Sequence, residues 1–314
     1  MTAFVLRRIG QTIVVLAIAS IIVFALMRMI PGDPIQIIMG GEYSPEAEAQ
    51  LRRQLGLDRS IIEQYFIWIA NVLRGEFGYS YLNHTPVSVL LWDAFLPTLF
   101  LVIGTTIVGL LIALPSGIIA AIKKDTVWDY GSMGFAILGY SMPSFWKGII
   151  LIWIFGVYLG WFPTMGYVHP WDNPSESLWR LTLPSLTLGT FFSGLVARIT
   201  RSSLLEVLDQ DFIKAARARG VRQAPLVYKH ALQNALIPVV TVIGLQFGTL
   251  LGGAVLTETV FTIPGMGRLT VAAILNREYQ VVQGAVLLGV VFVVVVNLIV
   301  DLTYAFLNPK IRVH

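Results

Sequence analysis

The chain contains no cysteine. That one absence excludes disulfides, thiolate metal ligation and cysteine nucleophiles. Charge is almost as scarce: only 13% of the 314 residues are Asp, Glu, Lys or Arg and 56% are hydrophobic, whereas a soluble domain carries about 25% charged residues. With a mean hydropathy of +0.74, the composition excludes the soluble globular class and defines an integral membrane protein. Histidine is rare and scattered. His84, His169, His230 and His314 show no ligand spacing, so no metal site is assigned. No glycine-rich loop of the G-x-x-x-x-G-K-[ST] type occurs, so the chain carries no phosphate cradle of that kind. The net charge of +4 does not imply a nucleic-acid partner, because a basic excess in a membrane protein reflects its inward-facing loops.

Long apolar runs are what the chain has instead. A span needs about 20 apolar residues to cross about 30 Å of hydrocarbon, and six stretches qualify: Ile9–Met27, Pro97–Ile122, Met133–Phe162, Leu181–Ala197, Ala235–Thr257 and Tyr279–Val300. The third is interrupted by Lys147. Arg7 and Arg8 before an apolar run with Ala17-Ile18-Ala19 could open a cleavable signal peptide, but the run continues to Met27, which points to an uncleaved first span. If the N-terminus is cytoplasmic, thirteen Lys and Arg fall on inside segments and eight outside. The positive-inside rule then places both termini in the cytoplasm.

Between the first two spans lies an extracytoplasmic segment, 31–96. It has eight acidic and four basic residues between Pro31 and Leu96. Two short amphipathic helices are predicted there, about Pro45–Leu55 and Ile61–Leu73, with Gly56 stopping the first. Ser60-Ile61-Ile62-Glu63 is a capping-box pattern, and Ile62, Phe66, Ile69 and Leu73 recur at helical spacing. Val87–Phe95, behind Thr85-Pro86, reads as a helix on the outer interface before Pro97 opens the second span.

The inside segment between spans four and five, about 201–234, is the most distinctive. Asp211-Phe212-Ile213-Lys214-Ala215-Ala216-Arg217-Ala218-Arg219-Gly220 reads as a short basic helix, capped by Asp209 or Asp211 and stopped by Gly220. Leu204, Leu205, Leu208, Phe212, Ala215 and Ala216 form its apolar stripe, while Lys214, Arg217, Arg219 and Arg222 cover the remaining circumference. The alanines give a low profile that a partner's groove can approach, and the arginines can pair with its carboxylates. A basic loop held near anionic lipid is the alternative. Pro225 fits the first position of a second helix that runs into span five.

That segment, followed by Lys229-His230-Ala231-Leu232-Gln233-Asn234-Ala235-Leu236-Ile237-Pro238, resembles the coupling-loop signature of permease subunits of ATP-binding-cassette importers. The resemblance is closest to the dipeptide/oligopeptide/nickel branch. Ile30-Pro31-Gly32-Asp33-Pro34, Leu55-Gly56-Leu57-Asp58, Gln64-Tyr65, Gly75-Glu76-Phe77-Gly78, Glu258-Thr259-Val260-Phe261, Pro264-Gly265-Met266-Gly267 and Asn308-Pro309-Lys310-Ile311-Arg312 agree with it. The wider superfamily loop begins Glu-Ala-Ala where this chain has Lys214, and it has a proline where this chain has Gln233.

The resemblance implies an all-α membrane protein of the type I importer permease fold with six transmembrane helices. Residues 1–30 would form the tail and first helix, and 97–314 the core permease domain. It implies an importer of di- or oligopeptides in the bacterial cytoplasmic membrane, with nickel, haem or glutathione as alternative cargo. The implied partners are a second related permease, two ATPase subunits that bind ATP and Mg, an extracytoplasmic binding protein and membrane lipid. Asp211, Phe212, Ala215, Ala216, Arg217, Arg219 and Gly220 would couple to an ATPase, and the chain would do no catalysis itself.

Other residues stand out on physical grounds. Gly244, Gly248 and Gly252 recur every four residues, a smooth face for packing at a subunit junction, beside the pore or within one subunit. Lys147 falls near mid-membrane, where a lysine costs about 2.5–3.5 kcal/mol. It either faces the translocation path, with Tyr140, Ser144 and Gln246 as companions, or reaches an interface. Pro143, one turn earlier, can break its helix. Asp301 reads as a pairing group for a nearby Arg or Lys. Glu258, Phe261 and Pro264 are candidates for an outer gate, again by resemblance; on physics alone the turn is a short re-entrant or surface loop. An ion-coupled secondary transporter would need inverted repeats and mid-span acids, whereas no acid falls inside any of the six runs and Asp301 lies just past the end of the sixth. A nonconducting assembly subunit is the third reading.

Overall fold

The computed structural model describes residues 2–29, 45–54, 56 and 58–307. The expectations placed on 30–34, Leu55, Leu57 and 308–314 lie outside these residues. In chain order the helices are α1 (Thr2–Met29), α2 (Pro45–Gln54), α3 (Ile61–Leu73), α4 (Val87–Ile122), α5 (Val127–Ser141), α6 (Ser144–Tyr158), α7 (Pro174–Leu208), α8 (Asp211–Ala218), α9 (Gln223–Val260), α10 (Met266–Leu275) and α11 (Tyr279–Leu307). No β-strand forms among the described residues, so the fold is all-α. Only an isolated bridge joins Tyr79 to Pro86.

Helices α1, α4, α9 and α11 are long and apolar enough to cross a membrane. The α5–α6 pair passes the same test as one span broken by 105°. The remaining apolar stretch, the fourth in chain order, falls on α7, which sits at the centre of the bundle against α4, α5 and α9. Its inward positions include Ser185, Thr187, Gly189, Ser193 and Gly194, which face other helices and therefore need not be lipid-like. Close approach is what these small residues provide. A Cβ on Gly109 of α4 would lie 2.4 Å from Phe192 Cδ1, and one on Gly189 would lie 3.2 Å from the Gly109 nitrogen, so α4 and α7 meet backbone to backbone.

Two start positions differ from expectation. Helix α4 is continuous from Val87, with Pro97 inside it, so there is no separate interfacial helix before Pro97. Val87, Leu91 and Ala94 are buried against α10 and α11, and that packing holds the first turns through the proline. Helix α9 begins at Gln223 with Pro225 two residues in, still within the first turn, where no helical N–H is needed.

Segment α2–α3 matches expectation closely. Gly56 has φ +64° after α2 ends at Gln54. Ser60 caps α3 by accepting from the Glu63 amide while the Glu63 carboxylate accepts from the Ser60 amide. The loop after α3 then docks on the turn between α10 and α11. Ser80 Oγ and the Leu82 amide both donate to Glu278, and the Tyr79 amide donates to Gln280 Oε1 at 2.8 Å. Burial first, and then the nearby Glu278, push the Tyr81 phenol above its usual pKa.

Candidate functional sites at the two ends of the bundle

At the Lys/Arg-rich end, α8 is seated on a small apolar core of its own. Ile213 and Ala216 pack with Ile118, Ala121, Leu204, Val207, Leu226 and Ala231. The helix closes with paired bonds, Gly220 N–H to the Arg217 carbonyl and Val221 N–H to the Ala216 carbonyl, which satisfy two orphan acceptors and require the left-handed Gly220 at φ +84°. Its N-cap is Gln210, with no side-chain bond to the first turn. Asp209 instead caps the end of α7. Asp211 occupies the first helical position, where its charge favours the dipole.

The expected apolar stripe is split by this seating. Ile213, not Phe212, is the anchor: it is fully buried, whereas Phe212 is 43% exposed. Ala216 faces inward with it. Ala215, Arg217 and Arg219 are exposed. Phe212, Ala215 and Arg219 therefore share an outward face at i, i+3 and i+7, with an aromatic, a small residue and a guanidinium side by side. Lys214, at the position of the superfamily glutamate, pairs with Asp211 at 3.4 Å in full exposure, a contact of little energetic weight.

A charge pair missed by sequence reasoning holds this end together. Arg201 of α7 donates Nε to Asp129 Oδ1 at 2.7 Å and Nη2 to Oδ2 at 2.6 Å, and the Asp125 amide also donates to Oδ2. Asp129 is 2% exposed. A bidentate buried pair fixes orientation as well as energy. Asp301, expected to pair with a nearby cation, meets Arg8 of α1 at 2.9 Å.

In the broken span, Lys147 is buried and already occupied. Its Nζ donates to the Gly139 carbonyl at 2.5 Å and to Thr190 Oγ1 at 3.1 Å, 5.8 Å from the Phe191 ring centre. The reason is local. The residue four ahead of Gly139 is Pro143, which has no N–H, so that carbonyl loses its helical donor and the lysine supplies one. Tyr140 stacks on the same Phe191 ring at 4.9 Å and is exposed, while Ser144 is half-buried. Gln246, on α9, is buried with no partner on its Nε2. Phe191 thus links Lys147 and Tyr140.

The glycine face on α9 is open along most of its length. A Cβ on Gly244 would touch Val300 of α11 at 2.8 Å, whereas Gly248 has its nearest neighbour at 4.0 Å and Gly252 has none within 4 Å. Gly244 packs within the chain, and Gly248 and Gly252 are exposed.

At the opposite end the turn after α9 is built inward. Glu258 is fully buried. Its carboxylate accepts from Thr98 Oγ1 and from the Arg268 amide, and Thr98 Oγ1 in turn accepts from the Met266 amide. These are first-turn N–H groups of α10, and the acid sits where the helix dipole favours it. A Cβ on Gly265 would lie 2.3 Å from the Glu258 carboxyl carbon, so the glycine makes room for the acid. Phe261 lies in the main core, and its carbonyl accepts from the Gly166 amide. Of the three gate candidates, only Pro264 is exposed.

A broken apolar span in an all-α bundle, with a short helix seated on a small apolar core, is the architecture of a multi-helix membrane component. The chain belongs to a permease family of ATP-binding-cassette importers. Residues 113–313 match the family described as binding-protein-dependent transport system inner membrane component, and 1–102 match its N-terminal companion. It is 41% identical over 340 residues to the dipeptide transport system permease protein DppB of Escherichia coli K12, covering 99% of both chains. It is 40% identical to the DppB of Alkalihalophilus pseudofirmus, covering 99% of this chain and 100% of that one. It is 42% identical over 316 residues to the glutathione transport system permease protein GsiC of E. coli K12, covering 99% of each. These relatives place it in the dipeptide/oligopeptide branch. Among solved structures it shares the fold of the inward-facing MetNI methionine ABC transporter (TM-score 0.58, 19% identity, 70% of this chain and 96% of that one). It also shares the fold of an amino acid ABC transporter (TM-score 0.53, 15% identity, 69% and 94%).

Proposed function

We propose that this permease forms the membrane path for di- or oligopeptides handed over by an external binding protein, and that a partner ATPase drives it through α8. The observation that carries the reading is the division of labour on α8: Ile213 and Ala216 root it in the chain, and Phe212, Ala215 and Arg219 are left facing out. A helix rooted on one side transmits a push received on the other. Peptide cargo follows from the names of relatives that match end to end. Glutathione, itself a small peptide, falls within the same chemistry.

In this reading α7 is the fourth of six spans, both termini and α8 are cytoplasmic, and a second related permease completes the path with the open Gly248–Gly252 stretch of α9 toward the junction. Two ATPase subunits bind ATP and Mg, and this chain has no ATPase site of its own. The turn at Pro264 faces the binding protein as part of the outer gate. Lys147 holds the bend of the broken span, and Tyr140 beside it lines the path. The partners shift the permease between states only as far as they bind those states differently.

The test is uptake of a labelled dipeptide into vesicles containing the complete importer. Uptake requires ATP and both ATPase subunits. Uptake that persists without the ATPases, driven by an ion gradient, overturns the proposal in favour of a secondary transporter.

A further inference from the structure

The apolar stripe of α3 faces away from the protein at three of its four positions, Ile69 being half-buried. Ile62, Phe66 and Leu73 are 70%, 63% and 82% exposed, and Ile61 is exposed beside them. The opposite face is apolar and aromatic as well: Tyr65 and Trp68 pack on Phe24 of α1, with ring centres 5.5 and 5.6 Å away, and Tyr65 Oη shares a 2.8 Å hydrogen bond with Ser20 Oγ. Polar side chains cluster at the ends, Ser60 and Glu63 in the cap and Asn71 and Arg74 at the other terminus. A helix apolar all round is at home only in a protein core or in lipid.

The depth of the contact decides between them. The apolar run of α1 ends at Met27, before Arg28. Phe24 and Ser20 lie about 5 and 10 Å farther in at 1.5 Å per residue, so α3 is held beside α1 at the level of the hydrocarbon. At that level α1 exposes Ile18, Ile21 and Ile22, and the α3 stripe continues this lipid-facing surface. Thirteen residues make a rod of about 20 Å, too short to cross about 30 Å of hydrocarbon.

We infer that α3 is embedded in the leaflet at the C-terminal end of α1, with Ile62, Phe66 and Leu73 against acyl chains and its polar ends at the headgroups. Its occupant is lipid, not a protein partner. The segment between the first two spans is thereby split: α3 is a membrane element, and the loop 75–86 that docks on Glu278 and Gln280 is the part that stands clear of it.

The absence of cysteine makes the test direct. Phe66→Cys and Leu73→Cys, each labelled with a nitroxide in the complete importer in phospholipid vesicles, are compared with Arg59→Cys for relaxation by oxygen and by a water-soluble chromium chelate. The inference expects both stripe sites to be several-fold more accessible to oxygen than to the chelate, with the order reversed at Arg59. High chelate access at both stripe sites places them in water and overturns it. Low access to both reagents means that protein covers the stripe, and overturns it equally.

Discussion

The two ends of the bundle solve opposite problems with similar parts. Each has a short helix after a long one, α8 at one end and α10 at the other. At α10 the Met266 and Arg268 amides of the first turn are turned inward, onto Thr98 and Glu258, and the turn is locked to α4. At α8 the N-terminus has no side-chain cap, only Ile213 and Ala216 are buried, and the remaining circumference faces out. One end is fastened, and the other is presented. Burial of charge and hydrogen-bond satisfaction separate them, since both helices are of modest length.

The comparison can be broken by substitution. Glu258→Ala strips the acceptor from Thr98 and the α10 amides and leaves a cavity, so it should cost about 3–4 kcal/mol, read as a lower unfolding temperature of the purified permease. A loss below about 1 kcal/mol would mean that the turn is not fastened by this acid. Ile213→Ala should cost about 2–3 kcal/mol and loosen α8. Phe212→Ala, on the outer face, should change stability by less than about 0.5 kcal/mol yet lower ATP-driven uptake; equal thermal shifts for the two would erase the difference between the faces. The last effect is a gain. Thr262 closes α9 with φ +56°, bonded to the Thr259 carbonyl, and a β-branched residue there costs about 1–2 kcal/mol. Thr262→Gly should therefore stabilise by roughly 1 kcal/mol, a rise of a few degrees by calorimetry.

How much was legible in the sequence depended on how far apart the interacting groups lie. The Ser60–Glu63 cap and the Gly56 and Gly220 stops are local chemistry, and they stand where the residues predict. The stripe on α8 is misread because alanines fit either face of a two-turn helix. Only the distant Ile118 and Leu226 select Ile213 over Phe212. Pro97 reads as a helix start by local rules, but packing of Val87, Leu91 and Ala94 against α11 carries the helix through it. Glu258 and Thr98 are 160 residues apart, and Asp129 and Arg201 are 72 apart, so no local pattern announces either pair. Lys147 was visible as an anomaly. Its partner was not read, although the missing N–H of Pro143 leaves the Gly139 carbonyl, four residues back, without a helical donor.

The most direct measurement is cross-linking from cysteines placed at Ala215 and at Ala216 in the complete importer, in its native membrane. Ala215, exposed, should capture an ATPase subunit efficiently, and Ala216, buried one residue later, should capture none. Capture of lipid alone from Ala215, or equal capture from both positions, would contradict a helix rooted on one face and driven on the other.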